Sequence, residues 1–392
     1  MIRRIGLALL LALMLAPLQV KAAPPPLRAA QVGYLPCRNY AEVAQEFARM
    51  RRQGIDTVII RAFHRPNDRY YAFVEPRAKA GVYFPTKAAP VVADAFGPLV
   101  TQARAAGLRV FAWMTTLTTP LQEAPQWSGR RYDLDNGGIV PVNALDPFRP
   151  EVRQRLKDLF QDLSRYPIDG ILLQDDLVLR HTEGFSAAAM GAYLREYGRL
   201  PDPAAFYPER FQAPGKPVRV RRYGAEFWEW SRWRGRHLYR LGMELREVAR
   251  QQNPEITVAF NMPYEVLTKP DMGLAWFALD FQSAAQAGFD YLSVMAYHRQ
   301  IAKEMGIPVS QALEMVAQMT AKGRQKLTTA APLLIKLQTL DFDDHQPLEG
   351  TELQQAARSA LEAGPVSLAF FPYLTAPAAL PALPEISKEE NR

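Results

Sequence analysis

The chain has 392 residues, 48% of them hydrophobic and 22% charged, a balance that excludes a fibrous or disordered protein and leaves ample material for a core. The formal charge is +7, falling to +4 if a leader carrying Arg3, Arg4 and Lys21 is removed. So mild an excess, scattered among acids and lacking an aromatic-basic binding module, argues against nucleic acid as a partner.

Residues 1–22 read as a secretory signal peptide. Arg3 and Arg4 begin it, an apolar run from Gly6 to Pro17 fills its centre, and Val20-Lys21-Ala22 supplies a small-x-small cleavage pattern. The apolar run is short for a permanent span, so a periplasmic or secreted protein with no stable transmembrane segment is expected, an uncleaved anchor being the alternative. Residues 23–28, with three consecutive prolines, form a stiff linker.

Strand-like and helix-like segments then alternate. Strands are expected at residues 29–35, 55–61, 108–114, 169–176, 256–262, 291–297, 332–338 and 366–373. Helical patterns fall at 40–53, 96–106, 151–166, 225–252, 311–322 and 351–363. A long loop follows the third strand, and a polar, Pro-rich insertion at 198–217 precedes the longest helix. Eight near-continuous apolar strands between helices predict an α/β fold, a single-domain (β/α)8 TIM barrel over residues 29–375. A doubly wound sheet alternates in the same way, but no glycine-rich phosphate loop follows any strand. Residues 376–392 become Ala/Pro-rich and then charged, and are expected to form a disordered tail.

In a barrel the carboxyl ends of the strands meet in one mouth. Those ends bring Arg61, Phe63, His64, Trp113, Asp175, Asp176, Asn261, Tyr264, Tyr297, His298, Lys336, Gln338, Phe371 and Tyr373 together. Aromatic rings stack on pyranose faces and amides bind hydroxyls, so this set suits a sugar chain. The fourth strand ends in Gln174-Asp175-Asp176, and adjacent carboxylates at a strand end need a compensating reason to exist. Glycoside hydrolysis supplies one, because it uses a pair of carboxyl groups. Asp175 and Asp176 are therefore the catalytic candidates, with Asp175 preferred because it shares parity with Ile171 and Leu173. Arg61, Trp113, Gln174, Asn261, Tyr297, Lys336 and Gln338 are the substrate-binding candidates.

His64 and His298 are expected to be structural, as is the Trp228, Trp230 and Trp233 set on its helix. Cys37, the only cysteine, reads as a buried thiol and not a nucleophile. No His pair stands at i, i+3 or i, i+4 and no Gly-x-Ser-x-Gly elbow occurs, so neither a metal nor another cofactor is expected.

One set of ordered segments carries a resemblance. They are residues 54–63 (GIDTVIIRAF), 82–85 (VYFP), 110–114 (VFAWM), 146–153 (DPFRPEVR), 169–176 (DGILLQDD), 230–234 (WSRWR), 275–278 (AWFA) and 290–296 (DYLSVMA), with Asn261 and Leu337-Gln338. In this order the chain resembles the C-terminal glycoside-hydrolase domain of PgaB-type poly-β-1,6-N-acetyl-D-glucosamine deacetylases, from about Gln31 to Tyr373. The resemblance implies a barrel that cleaves partially deacetylated poly-glucosamine, a biofilm exopolysaccharide, in the periplasm, with the family's strand-four carboxylates on Asp175 and Asp176. The chain departs from the family's pattern at Gln174, where a His is usual, at Lys336, where a Glu is usual, and at Phe342, where a Trp is usual. Pro372-Tyr373-Leu374 stands where an Asp pair is usual. The family's deacetylase half has no counterpart here, so deacetylation is not expected.

The leading expectation is an exported glycoside hydrolase acting on an amino-sugar exopolysaccharide, with export machinery as a further partner. The alternatives are a non-catalytic polysaccharide-binding or export module on the same barrel, and a barrel glycosidase for a different glycan, acidic ones included.

Overall fold

The computed structural model describes residues 26–118, 125–327 and 333–375. The expected signal peptide and tail lie outside these residues.

Eight parallel strands close into a barrel: β1 (Arg28–Val32), β2 (Thr57–Arg61), β3 (Arg109–Met114), β4 (Gly170–Leu173), β5 (Thr257–Pro263), β6 (Tyr291–Met295), β7 (Leu333–Gln338) and β8 (Ser367–Phe371). Each pairs with its neighbours in sequence, and β1 closes the ring by pairing with β8 through Ala29↔Ala369. Helices follow the strands, which makes the architecture the expected (β/α)8 barrel. The strands read as apolar runs because helices cover them outside and layered side chains fill them inside. Only Arg28, Arg109, Thr257, Met295 and Phe371 among the barrel residues are not fully buried.

The interior requires one glycine. A Cβ at Gly170 would stand 2.3 Å from the Phe111 ring, which crosses the barrel to meet Tyr291 edge-on at 5.9 Å. That contact also fixes which face of β4 points inward. Gly170 faces the interior, while Leu173 packs outward, 3.5 Å from where a Cβ on Gly242 of the long helix would be. By strict alternation Gln174 points in and Asp175 points out, so the parity Asp175 shares with Ile171 and Leu173 is the outward one.

Two expected loops on the carboxyl-end face carry structure of their own. The segment after β3 forms an antiparallel hairpin, Ser128–Tyr132 with Ile139–Leu145. The insertion after β4 holds a short helix, Pro203–Phe206, and a second hairpin, Glu209–Phe211 with Arg219–Arg222. Val218 N–H donates to Asp135 Oδ1 at 2.8 Å and ties the two additions together.

Beneath them lies an aromatic core separate from the barrel's, built from Phe185, Tyr193, Phe206, Tyr207, Phe227, Trp230 and Trp233. Trp230 and Trp233 stack at 4.9 Å on the helix Ala225–Gln252. The fully buried Arg234 beside them donates to the carbonyls of Arg180 and Glu183, both at 2.7 Å, and burial pushes its guanidinium down to about 10. These tryptophans are packing residues.

Candidate active site

β4 ends at Leu173 and the chain turns at once through Asp175 and Asp176. That turn separates the two carboxylates. Asp175 is exposed and lines a cavity of about 280 Å3 at the carboxyl ends of the strands. Its outward parity does not matter because the strand stops two residues earlier. Asp176 is 8% exposed and does not line the cavity. Its carboxylate accepts from the hydroxyls of Thr115 (2.7 Å), Thr116 (2.8 Å) and Thr118 (2.7 Å). It also accepts from the backbone N–H groups of Thr116 (2.9 Å) and Thr118 (2.8 Å). With every lone pair engaged by the turn after β3, Asp176 holds two strand ends in register and has no face left for a substrate. The two catalytic candidates thus stand in different settings, Asp175 in the cavity and Asp176 in the turn.

Seven of the nine candidate residues line one cavity: Arg61, Trp113, Gln174, Asp175, Asn261, Tyr297 and Lys336. Gln338 does not. It is fully buried, its Oε1 accepts from the N–H groups of Arg299 (2.9 Å) and Gln300 (3.3 Å), and its Nε2 donates to Leu340 O at 2.9 Å. The amide thus caps the helix His298–Met305 and braces the loop after β7.

The cavity wall is aromatic. Trp113 meets Phe63 at 5.3 Å and Phe371 at 5.6 Å, both edge-on, and Phe371 stacks on Tyr297 at 6.1 Å. The Trp113 indole N–H donates to Gln174 Oε1, which orients the ring. Asn261 accepts from Ser293 Oγ at 3.0 Å, leaving its amide N–H groups for the cavity.

The charged groups divide into two sets. Arg61 is spoken for: its guanidinium meets Asp68 at 2.9 Å and donates to Arg69 O at 2.9 Å. Lys336 is only 2% exposed, and among the described residues no ion pair reaches it. Burial pushes its ammonium down to about 8, although the charge of Asp175 pulls the other way. Its Nζ lies 5.3 Å from the Phe371 ring centre and 5.9 Å from that of Tyr297. Burial first, and the charge of Asp175 second, hold the Tyr297 phenol well above its ordinary range. Asp175, Lys336 and Tyr297 therefore share one electrostatic environment.

Gln31, Arg65, Asp68 and Met295 complete the lining beyond what the sequence identified. Gln31 did leave a signal, an amide alone in an apolar strand. Arg65 and Asp68 come from the loop after β2, where no periodicity marks direction.

The remaining candidates serve the scaffold. His64 stacks on Tyr70 at 3.9 Å and bonds Tyr83 Oη at 2.7 Å, while burial, then Arg61, push its imidazole down to about 4. His298 is buried against Glu352 at 2.8 Å. Tyr264 and Tyr373 donate to Glu304 and Glu46. The Cys37 thiol is buried, and that burial pushes it up to about 11. Among the described residues no helix is long and apolar enough to cross a membrane.

A closed parallel barrel whose mouth holds a free carboxylate, stacked rings and amides is compatible with the glycoside-hydrolase class of TIM barrels. The comparisons with known proteins agree: residues 37–371 match the profile of hypothetical glycosyl hydrolase family 13, and the chain belongs to that family. Over 257 residues it is 29% identical to the poly-beta-1,6-N-acetyl-D-glucosamine N-deacetylase of Escherichia coli (strain K12), covering 63% of this chain and 34% of that protein. The chain thus spans about a third of the length of the curated relatives it matches. The PgaB (BpsB) glycoside hydrolase domain from Bordetella bronchiseptica superposes with a TM-score of 0.69 at 22% identity, covering 89% of this chain and 94% of that one. The β-amylase catalytic domain from Paenibacillus polymyxa superposes with a TM-score of 0.57 at 12% identity, covering 89% and 93%. These two likenesses concern the fold.

Proposed function

We propose that this protein is an exported endo-glycoside hydrolase acting on an amino-sugar exopolysaccharide of the poly-glucosamine type. The observation that carries the reading is Asp175, exposed in a cavity walled by Trp113, Tyr297 and Phe371 at the carboxyl ends of the strands. Rings of this kind seat a pyranose by its apolar faces and set the glycosidic bond beside the carboxyl group. Asp175 acts as the acid–base group on that bond, and Asp68, held by Arg61, is the second carboxylate of the scheme. Asp176 is a positioning residue, acting through the turn that follows Trp113. The name of the Escherichia coli relative supports a β-1,6-linked glucosamine polymer as the substrate class, and the signal-like residues 1–22 support export.

A second reading, a non-catalytic polysaccharide-binding or export module, draws on Gln174 and Lys336, which put an amide and a cation beside Asp175 where an acid–base partner would help. One assay separates the two. Purified protein is incubated with partially deacetylated poly-glucosamine and a panel of bacterial exopolysaccharides, and new reducing ends are counted for wild type, Asp175→Asn and Asp176→Asn. Cleavage lost in Asp175→Asn supports the assignment. Cleavage surviving both substitutions sinks it, and binding without cleavage by wild type establishes the binding module.

A further inference from the structure

The cavity contains more positive charge than the cleavage of a neutral or cationic sugar needs. Arg61 and Asp68 neutralise each other at 2.9 Å. That leaves Lys336 and Arg65 as the cations and Asp175 as the anion lining the cavity. Arg65 lies against the Phe63 ring at 5.5 Å, and its Nε is buried without a hydrogen-bond partner. Gln31, fully buried and also in the lining, has neither its amide oxygen nor its nitrogen satisfied within the protein. A buried ammonium with no close carboxylate and a buried amide with no partner both cost stability. Both persist here in one small cavity, and both cease to be costly when an acceptor-rich anion occupies it.

We propose, resting on the glycosidase reading above but departing from its poly-glucosamine substrate class, that this cavity is a carboxylate subsite: Lys336, Arg65 and Gln31 receive a sugar unit bearing a carboxylate, such as a uronate. Opposite and like charges a few ångströms apart near a protein surface interact strongly, so the sign of the substituent decides occupancy. A carboxylate meets two attractive charges against Asp175; a glucosamine ammonium meets two repulsive ones. The volume of about 280 Å3 admits a single sugar unit, being just below the roughly 300–1,000 Å3 typical of drug-sized ligand sites.

An independent feature has the same sign. The hairpin after β4 projects from the carboxyl-end face and carries Arg210, Lys216, Arg219, Arg221 and Arg222 against one acid, Glu209. Glu209 is taken by Arg222 at 2.5 Å. All five cations are exposed, and none is needed for the hairpin's aromatic base. Its charge favours an acidic glycan over a cationic one.

The test is titration calorimetry on the full chain carrying Asp175→Asn, to prevent turnover, repeated on wild type over short times. The probes are oligosaccharides of equal length in three forms: uronate-containing, N-acetylated neutral, and de-N-acetylated glucosamine. The uronate series is expected to bind at least tenfold more tightly than the neutral one in both backgrounds. Lys336→Met, which keeps the alkyl stem, is expected to abolish most of that ratio, and Lys336→Glu to invert the order in favour of the glucosamine series. Melting curves confirm folding of each variant, and Arg65→Gln, nearer the surface, gives the same direction if either Lys336 variant fails to fold. Equal binding of uronate and neutral probes, or a preference unchanged by both Lys336→Met and Arg65→Gln, overturns the carboxylate subsite and leaves the glycosidase reading intact. Failure to bind any of the three overturns both.

Discussion

The cavity and the threonine-lined turn behind it are one residue apart in sequence, yet they treat a carboxylate in opposite ways. On the cavity side Asp175 is exposed, near a buried ammonium and a buried phenol but bound tightly to neither. On the turn side Asp176 is enclosed by three hydroxyls and two backbone N–H groups. An unsatisfied group costs free energy in the empty protein and is available to a ligand; a satisfied one is rigid and unavailable. Proximity in sequence therefore says little about shared function at a strand end, where the chain turns.

The largest expected effect tests that contrast directly. Asp175→Asn should lower kcat on a cleaved glycan by about 10²–10⁴, the usual contribution of a positioned acid–base group. Because Asp175 is exposed, the stability of the variant should stay within about 0.5 kcal/mol of wild type. Asp176→Ala should do the reverse at first sight, lowering unfolding free energy by about 2–3 kcal/mol in a urea titration, because buried threonine hydroxyls and N–H groups lose a charged acceptor. Activity would then fall because the turn moves, and an Asp176→Asn variant, retaining one acceptor oxygen, should recover part of both. If Asp176→Ala melts like wild type while losing all activity, the carboxylate is chemical after all.

The next effect concerns Lys336 and depends on pH. The folded ammonium titrates at about 8 against 10.5 for the ordinary side chain. Between those values the unfolded chain binds a proton that the folded chain does not, so stability rises with pH across that window. Below about 8 both states are charged and the penalty is constant. Asp175, Tyr297, Arg61, Arg65 and Asp68 are the other titratable or charged groups lining the same cavity, so the comparison must be made as a difference between two proteins. Lys336→Met is expected to be more stable than wild type by on the order of 2 kcal/mol at pH 7, with the difference shrinking towards pH 10.5. Urea midpoints at pH 7 and pH 10 measure it, and a difference that does not change with pH would show that Lys336 is not buried as a charge.

The barrel was legible because strands buried on both faces write themselves as apolar runs, and Thr57–Arg61 or Leu333–Gln338 admit few other readings. The hairpin at Ile139–Leu145 was not, because Pro141 interrupts it and its alternation is between exposed and half-exposed positions. Among site residues, the seven found in the cavity were those at or just beyond strand ends, where topology alone sets the direction. Parity alone does not bring Asp175 to the mouth, since it is outward; the end of β4 at Leu173 and the turn that follows do. Gln338 lies outside the cavity because an amide at a strand end can equally cap the next helix. Arg65 and Asp68 depend on the path of a loop, which no pattern in the sequence specifies.

The smallest effect sharpens the cavity side of the comparison. Trp113 is fixed in two ways, by edge-on contacts with Phe63 and Phe371 and by its N–H bond to Gln174. Only the second way is polar, and Gln174→Leu removes it while keeping most of the volume. The buried indole N–H then loses its acceptor, which should cost about 1 kcal/mol in a melting or urea experiment. The aromatic contacts remain, so the ring keeps its place and loses only the preferred tilt of its face. A substrate stacked on that face should show a KM raised a few-fold with kcat nearly unchanged, since the ring contacts the sugar and not the bond being broken. A kcat that falls as steeply as in Asp175→Asn would instead put Gln174 in contact with the reacting atoms, and the division between binding wall and acid–base group would have to be redrawn.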